Sequence, residues 1–203
     1  MKSYEEKAKF FDQYAEQWDE DGFSDEQVAK LDAILERLDI KPGMTILEPG
    51  CGSGRLTKIL SERVGPGGRI IAVDISPQMI EVCGRATKNR NVRAILGEVE
   101  KVEMEPQSVD LVLCFAAFPH FNDKPAALRA FKSCLKPDGC LAIVHLMGSA
   151  RINDLHRKSG TAVERDTIPV LGEMEQMLRQ AGFRIVEWTD NDDGYFLSAY
   201  LVV

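Results

Sequence analysis

Thr45-Ile46-Leu47-Glu48-Pro49-Gly50-Cys51-Gly52-Ser53-Gly54 is the stretch that decides how this chain is read. Its lead-in, Met44, Ile46 and Leu47, is short and apolar enough for a buried parallel strand. The alternating glycines let the backbone turn sharply, and the run from Arg55 to Val64 has helical spacing. Strand, glycine turn and helix open a βαβ unit whose loop suits a cofactor.

Two details narrow the ligand. A dinucleotide fingerprint needs Gly-x-Gly-x-x-Gly, but counting from Gly50 and Gly52 the sixth residue is Arg55, and the third glycine, Gly54, comes one position early. The second detail is Glu48, at the carboxyl end of the strand where a ligand would lie. A carboxylate there repels a pyrophosphate and attracts an ammonium group. A nucleoside joined to a cationic amino acid meets both conditions, and S-adenosylmethionine is such a molecule. Ile70-Ile71-Ala72-Val73-Asp74 then reads as the next strand, with Asp74 placed to accept hydrogen bonds from both ribose hydroxyls.

Further landmarks follow in order: Asp74 after the second strand, Gly97-Glu98 after the third, Asp110-Leu111-Val112-Leu113 on the fourth, and Leu135-Lys136-Pro137-Asp138-Gly139 before the fifth. Together with Glu48-x-Gly50-x-Gly52-x-Gly54 they resemble the class I S-adenosylmethionine-dependent methyltransferases, in particular the small-molecule "type 11/25"-like group. The likeness runs from about Phe10 to the C-terminus. A Rossmann-like domain holding another ligand is the competing reading. The resemblance implies a three-layer Rossmann-like α/β fold: a seven-stranded, mostly parallel sheet with an antiparallel last strand, helices on both faces and an N-terminal helical lid. It also implies methyl transfer to a small-molecule acceptor, leaving S-adenosylhomocysteine. The alternative function is a non-catalytic S-adenosylmethionine-binding sensor or assembly partner.

Composition agrees with a single domain over residues 1–203, with 1–40 as N-terminal helices and lid and 146–170 as a substrate-side insertion. Twenty-five basic against 32 acidic residues leave a net charge of −7, which argues against nucleic acid as a partner. No apolar stretch approaches the ~20 residues that span a bilayer, and Met1 to Lys7 lacks an apolar signal core. A cytoplasmic monomer or homodimer, with no membrane partner, is expected. The five cysteines are scattered without a Cys-x-x-Cys pair and read as buried thiols.

Apolar spacing predicts one amphipathic helix from Tyr4 to Trp18, with Phe10, Tyr14 and Trp18 on one side; by resemblance it is the lid, and Tyr14 lies nearest the cofactor. Ser24 caps a second helix that covers a sheet face. Ser76-Pro77 starts a helix to about Lys88. Ile75 and Met79 flank Asp74 and either sandwich the adenine or belong to the core. At Gly97-Glu98 the family usually has Gly-Asp; here either the longer Glu98 or the backbone of Val99 meets the adenine. The fourth strand, Val109 to Phe115, brings Cys114 and Phe115 beside the transferable methyl. A helix through Ala127, Leu128, Phe131 and Leu135 follows, and Lys136 to Gly139 turns into a fifth strand, Cys140 to His145.

The acceptor side should be apolar, walled by Phe115, Phe118, Phe121 and Met147. Asn153, His156 and Arg157 share a face of a short helix from Ser149 to Gly160, and His156 and Arg157 are candidate substrate contacts. His120 and His145 are the candidate general bases, His120 ahead. No His-x-x-x-His or Cys-x-x-Cys spacing supports a metal, and none is assigned. Asn191-Asp192-Asp193-Gly194 marks a hairpin between two closing strands.

Overall fold

In the computed structural model, which describes residues 2–87 and 91–202, the apolar run Thr45–Pro49 is β1, third from one edge of a seven-stranded sheet. β2 (Arg69–Asp74) and β3 (Val92–Leu96) lie on one side of it, β4 (Val109–Phe115) and β5 (Leu135–His145) on the other. β6 (Phe183–Asn191) forms the far edge, and β7 (Gly194–Leu201) sits between it and β5. Strands β1 to β5 pair in parallel, whereas β7 runs antiparallel to both of its neighbours. The order reverses between β1 and β4, so a crevice opens beyond their carboxyl ends, where open α/β sheets bind ligands.

Helices cover both faces because the strands are apolar on both. Ile46 and Leu47 are each fully buried but point to opposite sides. Ile46 packs with Leu31 and Leu35 of α3 (Asp25–Arg37) and with Leu56 and Leu60 of α4 (Arg55–Val64). Leu47 belongs with Phe131 of α6 (Lys124–Cys134) and with Met174 and Leu178 of α8 (Leu171–Gln180). Burying each such leucine contributes roughly 1.5–3 kcal/mol. No helix among the described residues is long and apolar enough to cross a membrane.

The N-terminal segment differs from the single helix expected over 4–18. It is split into α1 (Tyr4–Asp12) and α2 (Ala15–Asp21), with Gln13 and Tyr14 in the break. The bend lets both pieces pack on α5 (Pro77–Ala86). Asp12, the last residue of α1, accepts hydrogen bonds from Ser76 Oγ at 2.5 Å and Gln78 N at 3.1 Å. A carboxylate at a helix N-terminus satisfies orphan amides and complements the helix dipole. The α5 helix ends at Ala86, where Thr87 closes it through Cys83 O; the expected end at Lys88 lies outside the described residues.

Two boundaries shift on the other half. Leu135, expected in a helix, is the first residue of β5, and Lys136 to Gly139 continue that strand rather than preceding it. Asp110 explains the early start: it accepts from Thr45 N at 2.8 Å and pairs with Lys136 Nζ at 2.6 Å, tying the entries of β1, β4 and β5 together. Ser149 begins the helix α7 (Ser149–Lys158), but Gly148 occupies its N-cap, because the Ser149 amide and hydroxyl both donate to Asp190.

Candidate active site

The glycine loop leaves β1 with Gly50 N and Cys51 N both donating to Val73 O, so the loop is pinned to β2. Gly50 has φ +74°, and a Cβ there would meet the Cβ of Ala117 at 2.3 Å. Gly52 N donates to one oxygen of Asp74 at 2.9 Å, and Ser76 N to the other at 2.9 Å. Burial pushes the Asp74 carboxyl up from its usual range, and the backbone donors of Ser76, Gly52 and Ile75 oppose that push. Around these groups lies a cavity of about 200 Å³, well above the voids that packing leaves inside proteins. Asp74, Ile75, Met79, Gly97 and Val99 line one end, and the rings of Tyr4, Phe11 and Trp18 roof it.

Glu48 lines a smaller adjoining space of about 80 Å³ that shares Gly50, Gly52 and Arg55 with this cavity. It is almost completely buried and accepts from Thr57 Oγ1 at 2.7 Å. Burial drives its pKa well above the usual carboxylate value, more than the Thr57 hydrogen bond lowers it. A buried acid with one donor is a strong site for a ligand cation. Arg55 follows the Gly54 N-cap as the first residue of α4; its guanidinium donates to Gly22 O at 2.6 Å and lies over the Phe23 ring.

Past Ala116 the cleft continues into a second chamber, lined by Phe23, Phe115, Met147, Ile152 and Leu155 and by three histidines, His120, His145 and His156. Arg55, Ala116 and His120 line both spaces. His120 Nδ1 lies 2.8 Å from Asp166 Oδ2. The other Asp166 oxygen takes Lys7 Nζ at 2.7 Å, and Lys7 Nζ also donates to His120 O at 2.8 Å. Lys7 is fully buried and Asp166 nearly so, whereas the His120 side chain keeps 18% of its surface exposed. Burial lowers the His120 pKa more than Asp166 raises it, so the ring is neutral near pH 7. Burial pushes Asp166 up, but the hydrogen bonds from His120 and Lys7 outweigh it and the carboxylate stays ionised. His156 Nδ1 meets the backbone oxygen of the same Asp166 at 2.7 Å. His145 is buried with its Nε2 unpartnered among the described residues, and burial pushes its pKa down to about 3.

Of the residues singled out in the sequence, Gly50, Gly52, Asp74, Ile75, Met79 and Val99 line the cleft, Glu48 lines the smaller space beside it, and Phe115, His120, His145 and His156 line the chamber. Others stand elsewhere. Tyr14 packs between Phe10 and Trp18, behind the rings that face the cavity. The break before α2 turns it away. Gly54 (φ +90°) supports the site by close packing, since a Cβ there would meet Cys83 Sγ at 2.9 Å. Glu98 pairs with Lys101 at 2.7 Å, and Glu100 takes the place beside the cavity, hydrogen-bonded to Tyr4. Cys114 is fully buried, because strand alternation sends its neighbour Phe115 to the site. Phe118 is fully buried against Phe121. Arg157 is exposed, on the outer side of α7. Among the described residues no group of three or more His, Cys, Asp or Glu is arranged to hold a metal.

Asp166 and Lys7 are the residues that sequence reasoning missed. Asp166 sits in the charged run Glu164-Arg165-Asp166, which looks like a solvated loop. Lys7 did carry a signal: with Phe10, Phe11 and Tyr14 it falls at i, i+3, i+4 and i+7, a cation inside an apolar stripe.

Residues 40–182 match a family model described as a methyltransferase domain. A malonyl-[acyl-carrier protein] O-methyltransferase from Acetivibrio thermocellus is 35% identical over 144 residues, covering 70% of this chain and 50% of that protein. A ubiquinone/menaquinone biosynthesis C-methyltransferase UbiE from a Shewanella species (strain ANA-3) is 29% identical over 191 residues, covering 79% of this chain and 74% of the relative. The chain thus spans about half the length of the malonyl-[acyl-carrier protein] relatives it matches. Among solved structures, a SAM-dependent methyltransferase from Aquifex aeolicus superposes with a TM-score of 0.69 at 22% identity, over 84% of this chain and 89% of that one. At that identity the likeness shows the fold.

Proposed function

The chain belongs to the class I S-adenosylmethionine-dependent methyltransferases, and on that premise we propose that it methylates a small molecule held in the histidine-lined chamber. The observation that carries this reading is the junction at Ala116 and His120, where a cleft suited to the cofactor meets a chamber suited to an acceptor. Residues 1–40 supply the N-terminal helices, of which α1 and α2 act as the lid, and residues 146–170 form the acceptor side of one domain.

The cleft fits the cofactor on its own chemistry. Gly50 and Gly52 let the ligand approach the backbone, Asp74 accepts from the ribose hydroxyls, and Ile75, Met79 and Val99 border the adenine. Glu48 receives the ammonium group, and Arg55 at the start of α4 faces the carboxylate. When bound, S-adenosylmethionine supplies a methyl group already activated on a sulfonium. The chain's residues then need to position the acceptor, exclude water and hold a proton. Tyr4, Phe11 and Trp18 shut the cleft from solvent. His120, neutral and oriented by Asp166, accepts the acceptor's proton on Nε2.

Calorimetric titration with S-adenosylmethionine, S-adenosylhomocysteine and NAD tests the cofactor reading: micromolar binding of the first two and none of the third is expected. Binding of NAD alone would overturn it. For the base, His120→Ala should lower turnover by roughly 100-fold or more with cofactor affinity intact. An equal loss in both would make His120 structural.

A further inference from the structure

One residue sets the proton positions of two imidazoles in the chamber. The ionised Asp166 carboxylate can only accept, so the neutral His120 ring must carry its proton on Nδ1, 2.8 Å from Oδ2. A backbone carbonyl can also only accept, so the His156 ring carries a proton on Nδ1, 2.7 Å from Asp166 O. With Nδ1 carrying the proton, the neutral tautomer of either ring leaves Nε2 as a bare lone pair. Neither Nε2 has a protein partner among the described residues, and both rings line the chamber with centroids 5.0 Å apart. Lys7, on the other Asp166 oxygen, holds the carboxylate in its accepting state.

The wall thus presents two neighbouring hydrogen-bond acceptors. Arg55, which also lines the chamber, gives one N–H to Gly22 O and lies over the face of Phe23, and on the reading above its remaining donors serve the cofactor's carboxylate. Phe23, Phe115, Met147, Ile152 and Leu155 supply apolar surface. A carboxylate against the His120–His156 wall would meet lone pairs where it needs donors, whereas a molecule with two adjacent O–H groups on an apolar body would satisfy both nitrogens.

We propose that the chamber selects a compact, uncharged acceptor carrying two adjacent hydroxyl donors, the simplest being an aromatic diol, and that Asp166 and His156 are the residues that set this specificity. The inference rests on reading the chamber as the acceptor site. It makes His156 a binding residue and Asp166 a positioning residue whose effect passes through His120.

The test is equilibrium binding of 1,2-dihydroxybenzene, phenol and benzoate at neutral pH, with the protein saturated with S-adenosylhomocysteine and, in parallel, without it. The diol should bind about tenfold tighter than phenol, the worth of one added hydrogen bond, and benzoate weakest. His156→Phe should bring the diol and phenol to within about twofold of each other. Asp166→Asn should raise benzoate relative to the diol, because the amide can donate to His120 Nδ1 and move the ring proton to Nε2. Benzoate binding as tightly as the diol, or a diol-to-phenol ratio untouched in a folded His156→Phe variant, would overturn the proposal. If His156→Phe fails to fold, Asp166→Asn decides: an unchanged benzoate-to-diol ratio overturns it. Failure of S-adenosylhomocysteine to bind would count against the methyltransferase activity instead, and the ratios measured without it would still read the chamber.

Discussion

Asp166 Oδ2 lies 2.8 Å from His120 Nδ1, while its other oxygen holds Lys7 Nζ of α1 at 2.7 Å. One carboxylate therefore joins the candidate base to the helix that roofs the cofactor cleft. Orientation of the imidazole and docking of the lid share a group, and separate substitutions can distinguish the two roles.

Asp166→Asn keeps the shape but offers His120 a donor, which favours the wrong tautomer. In serine hydrolases the equivalent change costs about 10⁴-fold in turnover, and a loss of roughly 10³-fold or more is expected here. Steady-state kinetics with a turned-over acceptor, alongside calorimetric binding of S-adenosylhomocysteine, will check it. A parallel drop in cofactor affinity would point to misfolding.

Lys7→Met leaves Asp166 buried with one fewer donor. Removing one member of a buried ion pair costs about 3–5 kcal/mol. Urea denaturation should show a loss of that order, and hydrogen exchange should speed up in α1 first. The double variant Lys7→Met/Asp166→Leu, with no orphaned charge, should recover much of the stability yet stay inactive.

Glu48 makes stability depend on pH. Its pKa in the folded, unliganded chain is raised well above 4.5, chiefly by burial. A raised folded pKa contributes stability that is complete below the unfolded value and is lost as pH rises through the folded one. Thermal melts of the unliganded protein should therefore fall as pH rises above the ordinary carboxyl range, and S-adenosylmethionine should restore them by pairing its ammonium with the ionised acid. Glu48→Gln should flatten the unliganded profile and weaken cofactor binding about tenfold or more. A Glu48→Gln profile that follows the wild type would assign the pH dependence to another group.

Asp74→Ala removes the acceptor for the ribose and for Gly52 N and Ser76 N. Cofactor binding should weaken by about 1–3 kcal/mol, read by the same titration. Unchanged affinity would remove Asp74 from the site.

Gly50→Ala places a Cβ 2.3 Å from Ala117 Cβ at φ +74°. The left-handed backbone alone costs an alanine about 1–2 kcal/mol, and the clash displaces the loop or the Ala116–Ala117 turn. Lower thermal stability together with lost cofactor binding is expected. A stable variant with normal affinity would mean that the loop tolerates the displacement.

Much of the cleft beside the glycine loop was legible because its lining is local. Glu48, Gly50 and Gly52 lie within five consecutive residues, and Asp74 caps the next strand, so spacing alone sets their relation to the β1 end of the sheet. The apolar strands and the Asn191–Gly194 hairpin were legible for the same reason: side-chain period and turn chemistry are properties of short stretches. Helix ends were less so. The break at Gln13 and Tyr14 follows from docking against α5, and Leu135 went to a strand because Asp110 anchors that strand's entry. Neither partner is a sequence neighbour.

By itself, then, the sequence determined the order of the strands, the glycine loop, the acidic residues beside it and the presence of three histidines after the fourth strand. Tertiary structure alone decided which of those histidines share a partner, His120 on the Asp166 carboxylate and His156 on its backbone oxygen. Lys7 and Asp166 are 159 positions apart, and Asp166 and His120 are 46 apart. Their meeting depends on where α1 and the loop after α7 settle on the sheet, and no local period encodes that. A buried lysine is stable only beside its counter-charge, so the partner that defines the chamber emerges when the chain has closed around both.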